Sequence, residues 1–171
     1  MIQLFKSVPV KHLKENLFHL LDDEWMLISA GNKDEINMMT ASWGGFGILW
    51  NKPVAYIVIR PQRYTYELIN QSDVFSLSFL EDEYREEMNF CGTKSGREVD
   101  KVKDSGLTPF FTPNSCYSFK ESKLFLECKK LYADHLKPEF FLDTSLIDRN
   151  YPKQDFHQLT IGEIIGCYKK K

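Results

Sequence analysis

The chain has 171 residues, of which 43% are hydrophobic and 27% charged, enough for one globular domain with a sizeable core. A formal net charge of −2 gives it no general attraction to nucleic acid. No run approaches about 18 consecutive apolar residues, and the first residues lack a signal-peptide pattern, so we expect neither a membrane span nor secretion.

The four cysteines are spread along the chain, and no two of them form a C-x-x-C pair. This spacing argues against a zinc site and against a thioredoxin-type motif. We therefore expect no metal site, and reduced thiols in a cytoplasmic protein. The cysteines are Cys91, Cys116, Cys128 and Cys167.

The first part of the chain predicts a helix and a hairpin. Residues 11–21 carry leucines at helical spacing, and the apolar runs 26–30 and 36–40 predict two strands. The polar segment 31–35 between these strands has the composition of a turn.

A glycine-rich segment, residues 44–47, follows and is interpreted as a loop. Pro53 then opens a predicted strand over residues 54–59, which Arg60-Pro61 ends. Residues 63–71 have the spacing of a helix.

The middle of the chain alternates between strand and helix patterns. Residues 74–80 predict a strand with a buried Phe-Leu-Phe side, and residues 81–89 predict an acidic helix. Residues 90–97 are small and basic and are interpreted as a loop. A short charged helix over residues 98–105 is expected to end at Gly106.

The last third is predicted to be mostly extended. Its expected elements are a loop at residues 108–114, strands at 116–119, 124–133 and 156–168, and a helical turn or ordered excursion at 143–150. Gly162 and Gly166 within the last strand indicate bulges or close backbone contacts.

About six or seven strands therefore occur in runs, with short helices inserted between them. This order favours a mostly β fold, an antiparallel Greek-key-type barrel with helical insertions, over a doubly wound parallel sheet. No linker or repeat divides the chain, so we expect a single domain over residues 1–171.

Polar and cationic residues follow the two strands that flank the glycine-rich segment. Thr40 and Ser42 follow the first strand, and Arg60, Arg63 and Thr65 follow the second. Hydroxyls, free backbone N–H groups and guanidinium groups that converge at strand ends suit a phosphate. Trp43 beside them offers a flat apolar surface to an aromatic ligand.

Three groups of residues together resemble those of one family. They are Asn37-Met38-Met39-Thr40-Ala41-Ser42-Trp43; Arg60-Pro61 with Arg63-Tyr64-Thr65; and Cys91-Gly92 with Ser95-Gly96-Arg97 and Asp100-Lys101. The chain is similar in this order and spacing to the flavin reductase-like family of FMN-binding split β-barrel proteins, which includes flavoredoxin. The resemblance spans about residues 25–168.

The resemblance implies a homodimer that binds FMN near the subunit interface. FMN needs hydrogen-bond donors and cations around its phosphate, flat apolar surfaces against its ring and hydrogen-bond donors at the ring edge. The resemblance and these needs together predict a set of cofactor-binding residues. They are Asn37, Thr40, Ala41, Ser42, Trp43, Arg60, Thr65, Cys91, Gly92, Lys94, Ser95 and His135.

Individual roles follow from the chemistry of these side chains. Lys94 and Ser95 are expected to complete the phosphate cradle or to reach the ring edge. Asn37 is expected to bond the ribityl chain or the ring, and the resemblance places His135 near the flavin. Taken one at a time, each such residue also has an ordinary structural interpretation, with Cys91 as a small buried residue. The other three histidines, His12, His19 and His157, show no ligand spacing with any carboxylate or cysteine and are interpreted as structural.

Two functions remain open. One is an NAD(P)H-dependent flavin reductase, and the other is an electron carrier that keeps FMN bound and serves a redox protein partner. A barrel that binds another ligand without FMN is a third interpretation. Because hydride moves between the cofactors themselves, no catalytic acid, base or nucleophile is expected.

Overall fold

The structure is a computed structural model that describes residues 2–32 and 34–171. These residues contain ten β-strands: β1 (Phe5–Ser7), β2 (Met26–Gly31), β3 (Ile36–Ala41), β4 (Gly44–Leu49), β5 (Lys52–Ile59), β6 (Val74–Leu80), β7 (Pro109–Phe111), β8 (Tyr117–Phe119), β9 (Ser122–His135) and β10 (Gln158–Lys170).

The helices are short and lie between the strands. They are α1 (Leu17–His19), which continues as a π-helical turn (Leu20–Glu24), α2 (Tyr64–Gln71), α3 (Arg85–Thr93), α4 (Lys101–Ser105) and α5 (Ser145–Asn150), with 3₁₀ turns at Ile2–Leu4, Val10–His12, Asp82–Tyr84 and Pro138–Phe140. No helix among the described residues has the length and apolar character needed to cross a membrane.

Eight strands form one antiparallel sheet in the order β3-β2-β6-β9-β10-β5-β4, with β1 also paired to β10. The two edge strands, β3 and β4, are joined by only Ser42 and Trp43. Since consecutive Cα atoms are about 3.8 Å apart, the two edges lie within about 11 Å of each other at that end. The sheet therefore curls into a barrel that is not closed by pairing, and the prediction of a mostly β, antiparallel fold with helical insertions is confirmed.

The barrel interior is filled by alternate residues of the strands. Phe75, Leu77 and Phe79 of β6 are fully buried there, as predicted, together with Ile28 and Ile57. The other side of β6 is buried as well, because β8 covers it: Ser78 Oγ lies 3.1 Å from Ser118 Oγ. Small serines thus allow the β7–β8 hairpin to pack closely on the sheet.

The single helix predicted over residues 11–21 is wrong. Leu13 has extended backbone dihedrals, and the side chain of Asn16 accepts hydrogen bonds from the N–H groups of Phe18 and His19. Such a side-chain cap begins a new helix and competes with a continuous one. The apolar side chains of this segment nevertheless pack against the main core, as their spacing predicted.

The loop predicted over residues 44–47 is also wrong, since this segment forms β4. A Cβ atom at Gly44 would lie 2.7 Å from the carbonyl oxygen of Tyr56, so the pairing with β5 requires glycine there. The turn lies instead at Trp50 and Asn51, whose φ angles are 50° and 59°. Positive φ at both central residues is characteristic of a type I′ hairpin.

Two other predicted loops contain regular structure. Residues 90–93 belong to α3, because Cys91 is fully buried and continues the apolar stripe of Met88 at helical spacing. The predicted loop at 108–114 contains β7, which pairs with β8.

Three local predictions are confirmed. Gly106 has a φ of 74° and ends α4. The register of β10 against β9 shifts next to Gly162 and next to Gly166, where bulges were expected. Residues 145–150 form a helix within the long excursion between these strands.

Candidate functional site

A cavity of about 350 Å³ opens beside the two-residue connection between the sheet edges, and we name it the edge cavity. Its size lies within the range of small-molecule sites. It is lined by Trp25, Met39, Thr40, Ala41, Ser42, Trp43, Val58, Arg60, Arg63, Met88, Asn89, Gly92, Thr93 and His157.

One wall is the contact between β3 and α3. Thr40 Oγ1 donates a 2.5 Å hydrogen bond to the carbonyl oxygen of Met88. A Cβ atom at Gly92 would lie 3.3 Å from Cβ of Thr40, so glycine allows the helix to approach the strand closely. Lys101, which does not line the cavity, also connects β3 and α3. Its Nζ donates hydrogen bonds to the carbonyl oxygens of Met38 in β3 (3.0 Å) and Cys91 in α3 (2.7 Å).

Lys101 is a buried cation, and burial lowers its pKa to about 8. The neighbouring positive charge of Arg63 acts in the same direction, while Cys91 opposes it. In the described part of the chain, no ion pair includes Lys101. Lys101 therefore places behind this wall a positive charge that has no ion-pair partner among the described residues.

The two arginines of the cavity have different partners. Arg60 forms an ion pair with Asp155 and donates a 2.8 Å hydrogen bond to the carbonyl oxygen of Asn150. Arg63 donates a 2.9 Å hydrogen bond to the carbonyl oxygen of Gly92, and no ion pair among the described residues includes it. The charge of Arg60 is thus compensated and that of Arg63 is not.

Another wall of the edge cavity is aromatic. The ring of Trp43 is about half exposed and lies 5.1 Å from the ring of His157. Nδ1 of His157 lies 2.9 Å from the hydroxyl oxygen of Tyr151. Burial, together with the charge of Arg60, lowers the pKa of His157 to about 4, so this imidazole is neutral at pH 7.

The cavity therefore offers three kinds of surface to a ligand. Trp43, Met39 and Val58 are apolar, and the hydroxyls of Thr40 and Ser42 are polar. No carboxylate is among the described lining residues, whereas both arginines are. This arrangement suits an anionic molecule that carries a flat, apolar part.

The structure brings together about half of the residues predicted from sequence. Those on the wall of the edge cavity are Thr40, Ala41, Ser42, Trp43, Arg60 and Gly92.

The remaining predicted residues lie outside this wall. Asn37 is buried and its amide donates a 2.7 Å hydrogen bond to Thr65 Oγ1. Lys94 and Ser95 follow the end of α3, and Cys91 is buried within it. His135 lies at the end of β9, where Nε2 is 3.2 Å from the hydroxyl of Tyr66. The assignment of these residues to a cofactor stays a prediction.

The sequence interpretation left several lining residues out of the set. Arg63 stood among the cations that follow the strand, and its spacing three residues after Arg60 was the available signal. Asn89 and Thr93 lie one helical turn apart on α3, but this stretch was interpreted as partly loop. His157 was interpreted as structural, and no local motif distinguishes it.

No group of three or more His, Cys, Asp or Glu side chains suited to a metal ion is present among the described residues.

A comparison with protein-family models matches residues 20–171 to the flavin reductase like domain. The chain belongs to this family.

Solved structures of flavin reductase-like proteins have the same fold. Flavoredoxin from Methanosarcina acetivorans is 25% identical with a TM-score of 0.66, over 86% of this chain and 69% of that one. An FMN-binding domain of a flavin reductases-like enzyme from Shewanella baltica OS155 is 20% identical with a TM-score of 0.70, over 97% and 77% of the two chains. The open sheet described above is thus a split barrel.

Two further matches have a lower sequence identity or cover a smaller part of the chain. An NADH:FAD oxidoreductase of Streptomyces globisporus, solved with NAD and FAD fragments, has 16% identity and a TM-score of 0.64, over 85% of this chain and 74% of that one. An uncharacterized protein of Aeropyrum pernix is 28% identical over 83 residues, or 48% of this flavin reductase-like chain. The match spans 31% of that relative's length.

Proposed function

We propose that this protein binds FMN in the edge cavity and moves electrons between NAD(P)H and the flavin by hydride transfer. The observation that carries the proposal is the uncompensated guanidinium of Arg63, which lies on the same cavity wall as hydroxyls and apolar side chains. A bound flavin supplies the hydride chemistry, and the protein contributes binding, orientation and exclusion of water.

The phosphate of FMN is proposed to lie near Arg63. A phosphate monoester carries close to two negative charges, and a guanidinium binds it with charge-assisted hydrogen bonds. Ser42, in the connection that follows β3, offers a hydroxyl donor to the phosphate, whereas the hydroxyl proton of Thr40 is already donated to the carbonyl oxygen of Met88. Lys101, buried behind this wall, adds a positive field without reaching the ligand.

The ring of the flavin is proposed to lie against Trp43. An exposed indole offers a large flat surface, and Met39, Val58 and Met88 add apolar area beside it. Because His157 is neutral, it adds a polar group to this end of the cavity without a charge. These side chains orient the ring, and no side chain of this chain is proposed to act as acid or base.

A matched pair of variants tests the site. Replacing the guanidinium in Arg63→Gln should weaken FMN binding at least tenfold, because the phosphate loses its uncompensated cation. The control Arg149→Gln removes an arginine of α5 that does not line the cavity, and it should bind FMN like the wild type. Quenching of FMN fluorescence on titration measures both affinities. A wild-type protein that is colourless and does not bind micromolar FMN would contradict the proposal.

The alternative function is an electron carrier with permanently bound FMN that serves a redox protein partner. The 25% identity to a protein named flavoredoxin favours it. NADH or NADPH oxidation that requires added free flavin would support the reductase. Flavin that stays bound through purification and accepts electrons only from another protein would support the carrier.

A homodimer in the cytoplasm completes the proposal. Tyr56, Ile161 and Tyr132 are paired neighbours on β5, β10 and β9, and together we name them the outer row. Tyr56 is 42% exposed and Tyr132 is 46% exposed, so the row leaves a contiguous apolar surface in water. It lies on the same face of β5 as Val58 of the edge cavity, and a second copy of the chain is proposed to cover it.

A further inference from the structure

A second cavity, of about 230 Å³, lies at another part of the barrel. It is enclosed on one side by the amino-terminal arm, residues 8–24, through Leu13, Leu17 and Leu20, and on the other by side chains of the sheet that include Phe46 and Ile164. We name it the arm cavity. It shares no lining residue with the edge cavity.

The positions on β5 show how far apart the two cavities are. Pro53 lines the arm cavity and Val58 lines the edge cavity. Five residues of a strand span roughly 16 Å. The arm cavity is therefore at the opposite end of the barrel, and its occupant would be separate from the flavin.

The lining of the arm cavity predicts the kind of molecule that enters it. Apart from Lys11 and Glu15, the lining side chains are apolar or glycine. Water in such a cavity finds few hydrogen-bond partners, and engineered apolar cavities of about 150 Å³ stay dry and bind small hydrocarbons. The arm cavity is larger than that, with room for a saturated chain of roughly six to eight carbons.

Charge at the mouth of the cavity indicates the head group. Lys11 is exposed at the rim, and no ion pair among the described residues includes it. The other charged lining residue, Glu15, already forms an ion pair with Lys169 of β10. The mouth therefore has an uncompensated positive charge beside an apolar interior.

We propose that the arm cavity binds a medium-chain aliphatic carboxylate, with its chain among the apolar side chains and its carboxylate beside Lys11. The contact with the carboxylate is exposed to solvent, so it adds little affinity and mainly selects the head group. The chain provides most of the binding energy, because it removes apolar surface from water. This site does not depend on flavin binding.

The probe for this site is sodium octanoate, titrated below its micelle concentration into the full-length protein. Methyl NMR should show saturable shifts at Leu13, Leu17 and Ile164, and the melting temperature should rise with octanoate concentration. The absence of saturation at millimolar octanoate would overturn the proposal. Shifts confined to methyl groups around the edge cavity would overturn it as well.

Two variants test the chain and the head group separately. Leu13→Phe fills part of the cavity and should lower octanoate affinity at least tenfold. Leu21 is a half-buried leucine of the arm that lies outside the cavity, so Leu21→Phe should leave octanoate affinity unchanged. Lys11→Met lies on the surface and should fold normally. It should lower octanoate affinity about threefold and leave 1-octanol affinity unchanged. An equal loss of affinity for octanoate and 1-octanol, or no loss of affinity for either, would overturn the carboxylate assignment.

Discussion

At the scale of single residues, the partners of a side chain decide its role. Arg60 and Arg63 are three residues apart and have the same chemistry, yet Asp155 compensates only Arg60. Two histidines differ in the same way. His135 is exposed beside Tyr66, whereas His157 is buried against Tyr151 and Trp43.

The buried His157 predicts a pH dependence of stability. Its pKa is about 4 in the folded protein and 6.5 when it is exposed, so the unfolded chain binds more protons between these values. Stability is expected to fall as the pH falls from about 6.5 to 4, by up to about 3 kcal/mol from this group. His157→Gln should lose correspondingly less stability over this range.

Urea unfolding at pH 7 and pH 4 measures this difference. The control His12→Gln replaces an exposed histidine and should keep the wild-type pH dependence. An equal pH dependence in wild type and His157→Gln would show that His157 is not held neutral by burial.

At the scale of elements, close approach between backbones decides where glycine is required. In β4, a Cβ atom at Gly44 would lie 2.7 Å from the carbonyl oxygen of Tyr56 and 2.9 Å from the end of Met26. A Cβ atom at Gly47 in the same strand would meet no atom within 4 Å. Close packing of the backbone therefore requires glycine at position 44 but not at position 47.

This contrast gives a paired prediction about stability. Gly44→Ala should destabilise the protein by about 1–3 kcal/mol, because β5 must move away from β4. Gly47→Ala should be neutral or stabilise it by up to about 1 kcal/mol, since the unfolded chain loses freedom. Chemical denaturation of the two variants checks the difference, and similar free energies of unfolding would contradict the pairing seen at Gly44.

At the scale of the whole molecule, the outer row is a partly exposed patch of the sheet. The outer row joins three neighbouring strands and places two tyrosines in water. Such a surface on the same face as the edge cavity fits an interface between copies of the chain, with the proposed flavin close to it.

Analytical ultracentrifugation tests the proposed dimer. The wild type should sediment at twice the 20.1 kDa of one chain. Tyr132→Glu places a charge in the outer row and should raise the dimer dissociation constant at least tenfold. Phe18→Glu, at an exposed aromatic residue of the arm, should not change it. A single 20.1 kDa species at all concentrations would contradict the dimer.

The sequence by itself determined most of the strands of the sheet, several turns and the family, because these depend on patterns that can be recognised along the chain. Alternation of apolar residues identified β6, and the order of three polar motifs indicated a flavin reductase-like protein. Two predicted elements differ from the structure, one because of a local cap that the apolar spacing does not show and one because of pairing with a neighbouring strand. The cap at Asn16 divided the first helix, and pairing with β5 converted a glycine segment into β4.

Only the tertiary structure decided which of the candidate residues share a cavity. Asp155 lies 95 positions from Arg60 in sequence and compensates its charge, whereas Arg63, the other arginine of the edge cavity, has no ion pair among the described residues. Asn37 and Thr65 bond to each other within the protein, and His157 rather than His135 lies on the cavity wall. Each of these outcomes depends on a contact between distant segments, and such contacts exist only after the sheet has curled and brought its two edges together.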